Sequence, residues 1–333
     1  MSVLVTGGAG YIGSHTAHAL ADRGEKVVVL DNLISGVRAF VPETAHFVHG
    51  SARDKALVSR IIDKFGVETV IHFAGSIAVP ESIERPIDYY ENNTMVSCAL
   101  AAACMETGVD QFIFSSTAAV YGSTEMAQVS ESAPTHPVNP YGRSKLMVEW
   151  MLEDAAKAHR FRYVALRYFN VAGVEPGGGA GQPERQIPHL IKRVAQVALG
   201  GAACLDVYGT DYPTRDGTAV RDYIHILDLV EAHLSAVDYL RGGGTAGVFN
   251  CGYGTGASVL EVVAAFGRLL GRELPVRPAP RRDGDPAYVV ADPSRISAAM
   301  GWQPRFNDLN AIVESALKWE ARAAGGRPAQ RSK

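Results

Sequence analysis

The sequence predicts an α/β protein built on a doubly wound parallel sheet, followed by a smaller mixed α/β lobe. Three observations predict it. β-rich runs alternate strictly with helical patterns through the first half, a glycine-rich turn follows the first run, and the texture turns Gly- and Pro-rich after Asn170.

The first run, VLVT at 3–6, leads into a helical pattern over about 11–23. VVVL (27–30) and HFVH (46–49) precede a helix near 54–65, and TVIHF (69–73) precedes a long helix near 92–107. QFIFSS (111–116) comes next, then a helix over 141–158 and a strand in RYVALRYFN (162–170). Strand and helix in strict alternation put parallel neighbours in a sheet with helices on both faces. The segment VAGVEPGGGAGQPERQIP cannot be regular structure, so it marks a lobe boundary or a loop over a site. A helix (187–199), a short strand (205–208) and a mixed remainder complete the chain. The expected division is 1–171 for the first lobe, 172–324 for the second with some segments returning to the first, and a frayed tail at 325–333.

At 333 residues, 47% hydrophobic and with a net charge of −3, the composition is that of a globular chain. No dense Lys/Arg block is present, so nucleic acid is not an expected partner. No apolar run reaches the roughly 18 residues of a membrane span. The four cysteines show no CxxC spacing, and the chain begins directly with a β-rich run, without a charged leader. The expectation is a cytoplasmic protein with free thiols and no metal site.

In VLVTGGAGYIGSH, Gly7, Gly10 and Gly13 fall between the first strand and the first helix. Glycines there allow a tight turn and close approach of backbone to a pyrophosphate at the helix N-terminus, the Rossmann-type arrangement. Asp31 ends the second strand, placed to accept from an adenosine ribose diol and to repel a 2′-phosphate, which favours NAD over NADP. Tyr141 and Lys145, in NPYGRSK, stand one helical turn apart and can share a small-molecule site. The ammonium would favour the phenolate and bring the tyrosine towards the pKa of a useful base.

TGGAGYIGSH, SSTAAVYG (115–122) and NPYGRSK resemble the extended short-chain dehydrogenase/reductases. LRYFNVAG (166–173), YGTDYPTRDGTAVRDYIHILDL (208–229) and PRRDGDPAYVVAD (280–292) narrow the resemblance to the UDP-galactose 4-epimerases. It runs from Met1 to about Trp319. It implies NAD-dependent inversion at C4 of a UDP-hexose through a 4-keto sugar, with Tyr141 as base, Lys145 as its activator and nicotinamide-ribose ligand, and Thr117 where the family usually has Ser. It implies cofactor contacts at Tyr11, Ile12, Asn32, Ser51, Ala52, Phe73, Ala74, Gly75 and Tyr168, and at Asn92 or Asn93 near the phosphates. For the UDP-sugar it implies Arg221 and Arg282 on the diphosphate, Asn170 and His189 as donors, Tyr208 against uracil and Asp285 on the ribose. Two plainer readings stay open: Arg221 in a structural ion pair with a neighbouring acid, and His189 as a structural helix-start residue.

Three positions depart from the resemblance. Ile77 replaces a lysine near the nicotinamide, Ser51 replaces an aspartate near adenine, and Val289 stands where a bulky aromatic would exclude an N-acetyl group. A rival 4,6-dehydratase needs an acid directly after the threonine, but Ala118 and Ala119 follow it. Epimerisation of UDP-N-acetylhexosamines or UDP-pentoses uses the same catalytic groups. A dinucleotide-binding sensor would be expected to lose Tyr141 or Lys145, and both are present. The helices near 92–107 and 141–158 carry apolar residues on more than one face, including Ala101, Ala102, Met147, Trp150 and Met151. This, with the resemblance, predicts an isologous homodimer.

Overall fold

Val3 and Val5 pack to one side of the central sheet and Leu4 to the other, as a strand covered on both faces requires. The computed structural model describes residues 1–123, 126, 128–176, 179–182, 189–282 and 284–325. Its first half runs β1 (Ser2–Thr6), α1 (Tyr11–Asp22), β2 (Lys26–Asp31), β3 (His46–His49), α2 (Lys55–Phe65), β4 (Thr69–His72), α3 (Val79–Glu84), α4 (Pro86–Tyr89), α5 (Val96–Glu106), β5 (Gln111–Thr117), α6 (Pro140–Ala158) and β6 (Arg162–Tyr168). The second half runs β7 (Asn170–Ala172), α7 (Leu190–Ala198), β8 (Leu205–Tyr208), β9 (Val220–His225), α8 (Ile226–Arg241), β10 (Gly247–Cys251), β11 (Gly256–Ser258), α9 (Val259–Leu270), β12 (Val276–Ala279), β13 (Tyr288–Val289), α10 (Ser294–Met300) and α11 (Leu309–Gly325).

Seven parallel strands form the main sheet in the order β3-β2-β1-β4-β5-β6-β10. One face carries α1 and α8, the other α2, α5 and α6. β9 organises a second sheet with β11, β13 and β7, while β8 and β12 pair alone. β10, from the second half of the chain, forms the edge of the main sheet beside β6.

Two boundaries differ from expectation. The run at 162–170 is not one strand: β6 ends at Tyr168, and after the buried Phe169 the chain leaves the main sheet to pair β7 with β9. The helix near 92–107 begins instead with a π-helical turn, Tyr90–Met95, before α5. A π turn adds a residue to the turn, and here it carries Asn93 into the interior, where its side chain bonds Ser76 and Ser144. Of the helix expected at 187–199, Leu190–Ala198 is seen, and 187–188 lie outside the described residues. So do Gly177 and Gly178 of the glycine-rich loop and residues 326–333 of the expected tail; Gly325 ends α11.

α6 starts sharply because Asn139 caps it, accepting from Gly142 N at 2.8 Å, with Pro140 at the first helical position. Cys104 and Cys251 are buried, Cys98 is exposed, and all four cysteines are free. No helix among the described residues is long and apolar enough to cross a membrane.

Four histidines sit inside this framework as neutral groups. Burial lowers His15, His225 and His233 to about 4 and His72 to about 3. Their unfolded values lie near 6.5, so as pH falls from 6.5 to 4 the unfolded chain takes up protons that the folded chain refuses, and stability falls. Asp222 acts in the opposite sense, since burial pushes it up to about 6 and the folded state then holds a proton that the unfolded state lacks. It offsets one of the four. Each unopposed histidine contributes about 1.4 kcal/mol per pH unit in its window. The expected result in calorimetry is a melting temperature that drops steadily from pH 6.5 to 4.5; a flat profile contradicts it.

Candidate active site

The carboxyl ends of β1, β4, β5 and β6 open into one cleft of about 1370 Å3, larger than a single drug-sized ligand requires. At one end lies the glycine turn. Gly7 has φ +72°, and a Cβ there would stand 2.6 Å from Ala74 N; a Cβ on Gly13 would stand 2.3 Å from Gly7 O. Gly10 caps α1 without a side chain, so the first-turn N–H groups face the cleft as anion donors. Asp31 lies at the end of β2 and accepts from Ala9 N at 3.0 Å and Leu33 N at 2.8 Å, which holds its carboxylate at the cleft wall. Tyr11, Ile12, Asn32, Ser51 and Ala52 line the same end. Arg38 stacks on Phe47 at 4.6 Å and is not part of the lining. This is a cradle that any Cβ would fill, and it fits a dinucleotide.

Phe73, Ala74, Gly75, Ile77 and Asn92 form the next stretch of wall, Asn92 donating to Ser76 Oγ at 2.9 Å. Beyond them Thr117, Tyr141 and Tyr168 meet at the floor. The Thr117 hydroxyl stands beside the Tyr141 hydroxyl and favours its ionised form, while it accepts from Ala119 N at 3.1 Å. Lys145 does not line the cleft: it lies beneath it, 2% exposed, donating to Ser115 O at 3.0 Å with its ammonium 5.0 Å from the Phe114 ring. Burial brings the lysine down to about 8.

The expected depression of Tyr141 by Lys145 is not found in the chain by itself. Burial raises the phenol, and the Thr117 hydroxyl is what lowers it. Desolvation of the phenolate outweighs the help of one neighbour. Ser115, which the sequence reading missed, shares a hydrogen bond with the Tyr168 hydroxyl and lines the floor.

α6 is held by a buried polar cluster that was also missed. Glu149 bonds Ser116 Oγ and pairs with Arg167, whose Nη2 lies 2.6 Å from it; Arg167 Nη1 donates to Tyr121 OH at 2.9 Å, and Tyr121 donates to Asn250 at 2.7 Å. Glu149 stands eight residues after Tyr141 on the same helical face, and that spacing was the available signal.

At the far end Asn170, His189, Arg221, Arg282, Asp285 and Val289 line the cleft. Arg221 and Asp285 pair with each other, the plainer of the two readings left open for that arginine. Tyr208 is outside the lining, and the Arg282 guanidinium stacks on its ring at 3.8 Å. His189 precedes α7 as its N-cap and makes no capping bond.

The profile of the NAD dependent epimerase/dehydratase family matches residues 3–252. The chain is 51% identical to a UDP-glucose 4-epimerase of Azospirillum brasilense, over 96% of this chain and 91% of that protein. A Stenotrophomonas maltophila UDP-glucose-4-epimerase, solved with bound NAD and formylated UDP-arabinopyranose, superposes with a TM-score of 0.95 at 38% identity, over 98% of this chain and all of that one. The UDP-Glc/GlcNAc 4-epimerase of Campylobacter jejuni gives 0.85 at 42% identity, over 96% and 99%. The chain belongs to the NAD-dependent epimerase/dehydratase family.

Removing one partner of the Glu149–Arg167 pair leaves a buried charge alone, at a cost of about 3–5 kcal/mol. Glu149→Ala should lose stability on that scale in urea unfolding, whereas Glu149→Leu with Arg167→Met should recover most of it. A double variant no more stable than the single one contradicts this account.

Proposed function

We propose that the protein is a UDP-glucose 4-epimerase that interconverts UDP-galactose and UDP-glucose with NAD held in the cleft. The observation that carries the reading is the continuity of one cleft from the glycine turn and Asp31, past Thr117 and Tyr141, to Arg221, Arg282 and Asp285. A dinucleotide fits the first end, and a nucleoside diphosphate suits the forked arginine donors of the other. When bound, NAD supplies the acceptor and then the donor of the C4 hydride, so the sugar passes through a 4-keto form.

The chain's own residues do the rest. Tyr141 takes the O4 proton and later returns it, with the Thr117 hydroxyl bonded to the same oxygens. The Lys145 ammonium stabilises developing phenolate from beneath, its effect strengthened by the low-dielectric floor. Gly7, Gly10, Tyr11, Ile12, Gly13, Asp31, Asn32, Ser51, Ala52, Phe73, Ala74, Gly75, Asn92, Lys145 and Tyr168 are assigned to the cofactor. Asn170, His189, Arg221, Arg282 and Asp285 are assigned to the UDP-sugar, and Tyr208 joins them once Arg282 leaves its face. Residues 1–171 form the cofactor lobe and 172–324 the substrate lobe, with β10 and α8 returning to the first.

Ala118 and Ala119 line the cleft just after Thr117, which speaks against a 4,6-dehydratase. Val289 also lines it and is half-buried where a bulky aromatic would exclude an N-acetyl group, so epimerisation of UDP-N-acetylhexosamines is the alternative reading.

Incubation with UDP-galactose, followed by proton NMR, tests the reading. UDP-glucose should form without added NAD if the cofactor is resident, and only with it if Ile77 and Ser51 loosen retention; no conversion in either case rejects a hexose substrate. Tyr141→Phe should keep NAD bound and lower turnover about 10²–10⁴-fold, the scale of losing a positioned base. Near-normal turnover removes Tyr141 from the mechanism.

The reading includes a cytoplasmic homodimer. Ile83, Ile87, Met95, Met147 and Trp150 are exposed on mutually packed α3, α4, α6 and the π turn, an apolar face that suits a second copy. Ala101 is not part of that face, being 2% exposed in the core beneath α5. Light scattering should give twice the chain mass at micromolar concentration, and Trp150→Glu should halve it. A monomeric wild type rejects the dimer.

A further inference from the structure

We infer that His72 is a positioning residue for Tyr141, acting through a directed chain of hydrogen bonds that begins at the glycine turn. The inference rests on the role proposed for Tyr141 above. His72 is the last residue of β4, has no exposed surface and is not in the cleft lining. Its Nδ1 lies 2.6 Å from Thr6 Oγ1 and its Nε2 2.9 Å from Ser97 Oγ.

The directions of these bonds follow from one carbonyl. Ser97 Oγ lies 2.5 Å from Asn93 O, which can only accept, so the Ser97 hydroxyl donates there and must accept from His72 Nε2–H. A neutral imidazole protonated at Nε2 has a bare Nδ1, which accepts from the Thr6 hydroxyl. Charge on the ring is opposed by burial and by the nearby Lys145 ammonium.

From Asn93 the chain continues through the side chain. Nδ2 donates to Ser144 Oγ at 3.0 Å and to Ser76 O at 3.1 Å, while Oδ1 accepts from Ser76 N at 2.7 Å. The Ser144 hydroxyl donates to the carbonyl oxygen of Tyr141 at 2.8 Å. Every donor from Thr6 to Tyr141 therefore has its acceptor, and reversing the His72 tautomer would leave Ser97 Oγ and Asn93 O 2.5 Å apart with no proton between them.

The two ends give the chain its consequence. Thr6 directly precedes Gly7, and Ser144 sits between Tyr141 and Lys145 on the first turns of α6. The turn assigned to the cofactor and the residue assigned to proton transfer are thus held at one spacing. The π turn serves this linkage by bringing Asn93 inward. A histidine is the side chain that can accept at one nitrogen and donate at the other across the gap between β1 and α5.

Ser97→Ala cuts the chain where alanine suits the helix. His72→Phe cuts it where Phe112 and Phe114 already flank the ring, each at 6.0 Å. Both variants would be compared with wild type for kcat and KM with UDP-galactose, for bound NAD, and for amide hydrogen exchange. Because a misplacement of about 1 Å can cost about 10²-fold in rate, kcat should fall about 10- to 100-fold. KM should stay within about twofold, since ground-state binding is not removed. Exchange should rise in residues 140–146 and stay unchanged in β6 and α9.

Unaltered kcat together with unaltered exchange at 140–146 overturns the inference. Exchange rising evenly across the sheet overturns it too, because that marks general support of the fold. If wild type does not turn over UDP-galactose, the proposed function fails, and exchange at 140–146 still decides the positioning role in either direction.

Discussion

The ammonium of Lys145 lies inside the protein with one carbonyl as its hydrogen-bond acceptor, and the rest of the site is arranged around that constraint. A buried cation without a carboxylate partner is costly, and burial draws this one down to about 8, still mostly protonated at neutral pH. It persists because α6 is fixed against β5 at three successive turns. Tyr141 meets Thr117, Lys145 meets the carbonyl of Ser115, and Glu149 meets Ser116. Three adjacent residues of one strand thus hold one face of one helix. The face of Phe114 adds a weak attraction from below.

The two ends of the cleft present different kinds of donor. The glycine turn offers backbone N–H groups and a helix N-terminus, which need no counter-ion. The arginine end uses side chains that are already engaged, Arg221 with Asp285 and Arg282 with the ring of Tyr208. Under the proposed function, a diphosphate there has to exchange partners with these side chains, so its affinity is the difference between two sets of interactions. Backbone donors at one end and paired arginines at the other thus flank one floor.

Much of the scaffold was legible because it depends on local pattern. Hydrophobic runs bounded by turn residues marked all six strands of the first half, and the glycine spacing located the turn at β1. What was misjudged depended on neighbours distant in sequence. The run at 162–170 looks continuous, but Phe169 is where the chain passes from one sheet to another, and only the pairing of β7 with β9 reveals it. Asn93 and its neighbour Asn92 look equivalent in ENNT; a π turn buries one and leaves the other on the cleft.

The sequence by itself determined the alternation of strands and helices, the glycine turn with its acid at Asp31, and the Tyr141–Lys145 spacing, because each is set by residues a few positions apart. Only the tertiary structure decided that Lys145 lies under the cleft floor, that Tyr141 is raised by burial and eased by Thr117, and that Arg221 pairs with Asp285. It alone joined Thr6, His72, Ser97, Asn93 and Ser144 into one line. These depend on desolvation and on contacts across tens of residues, and neither quantity exists until the chain has folded.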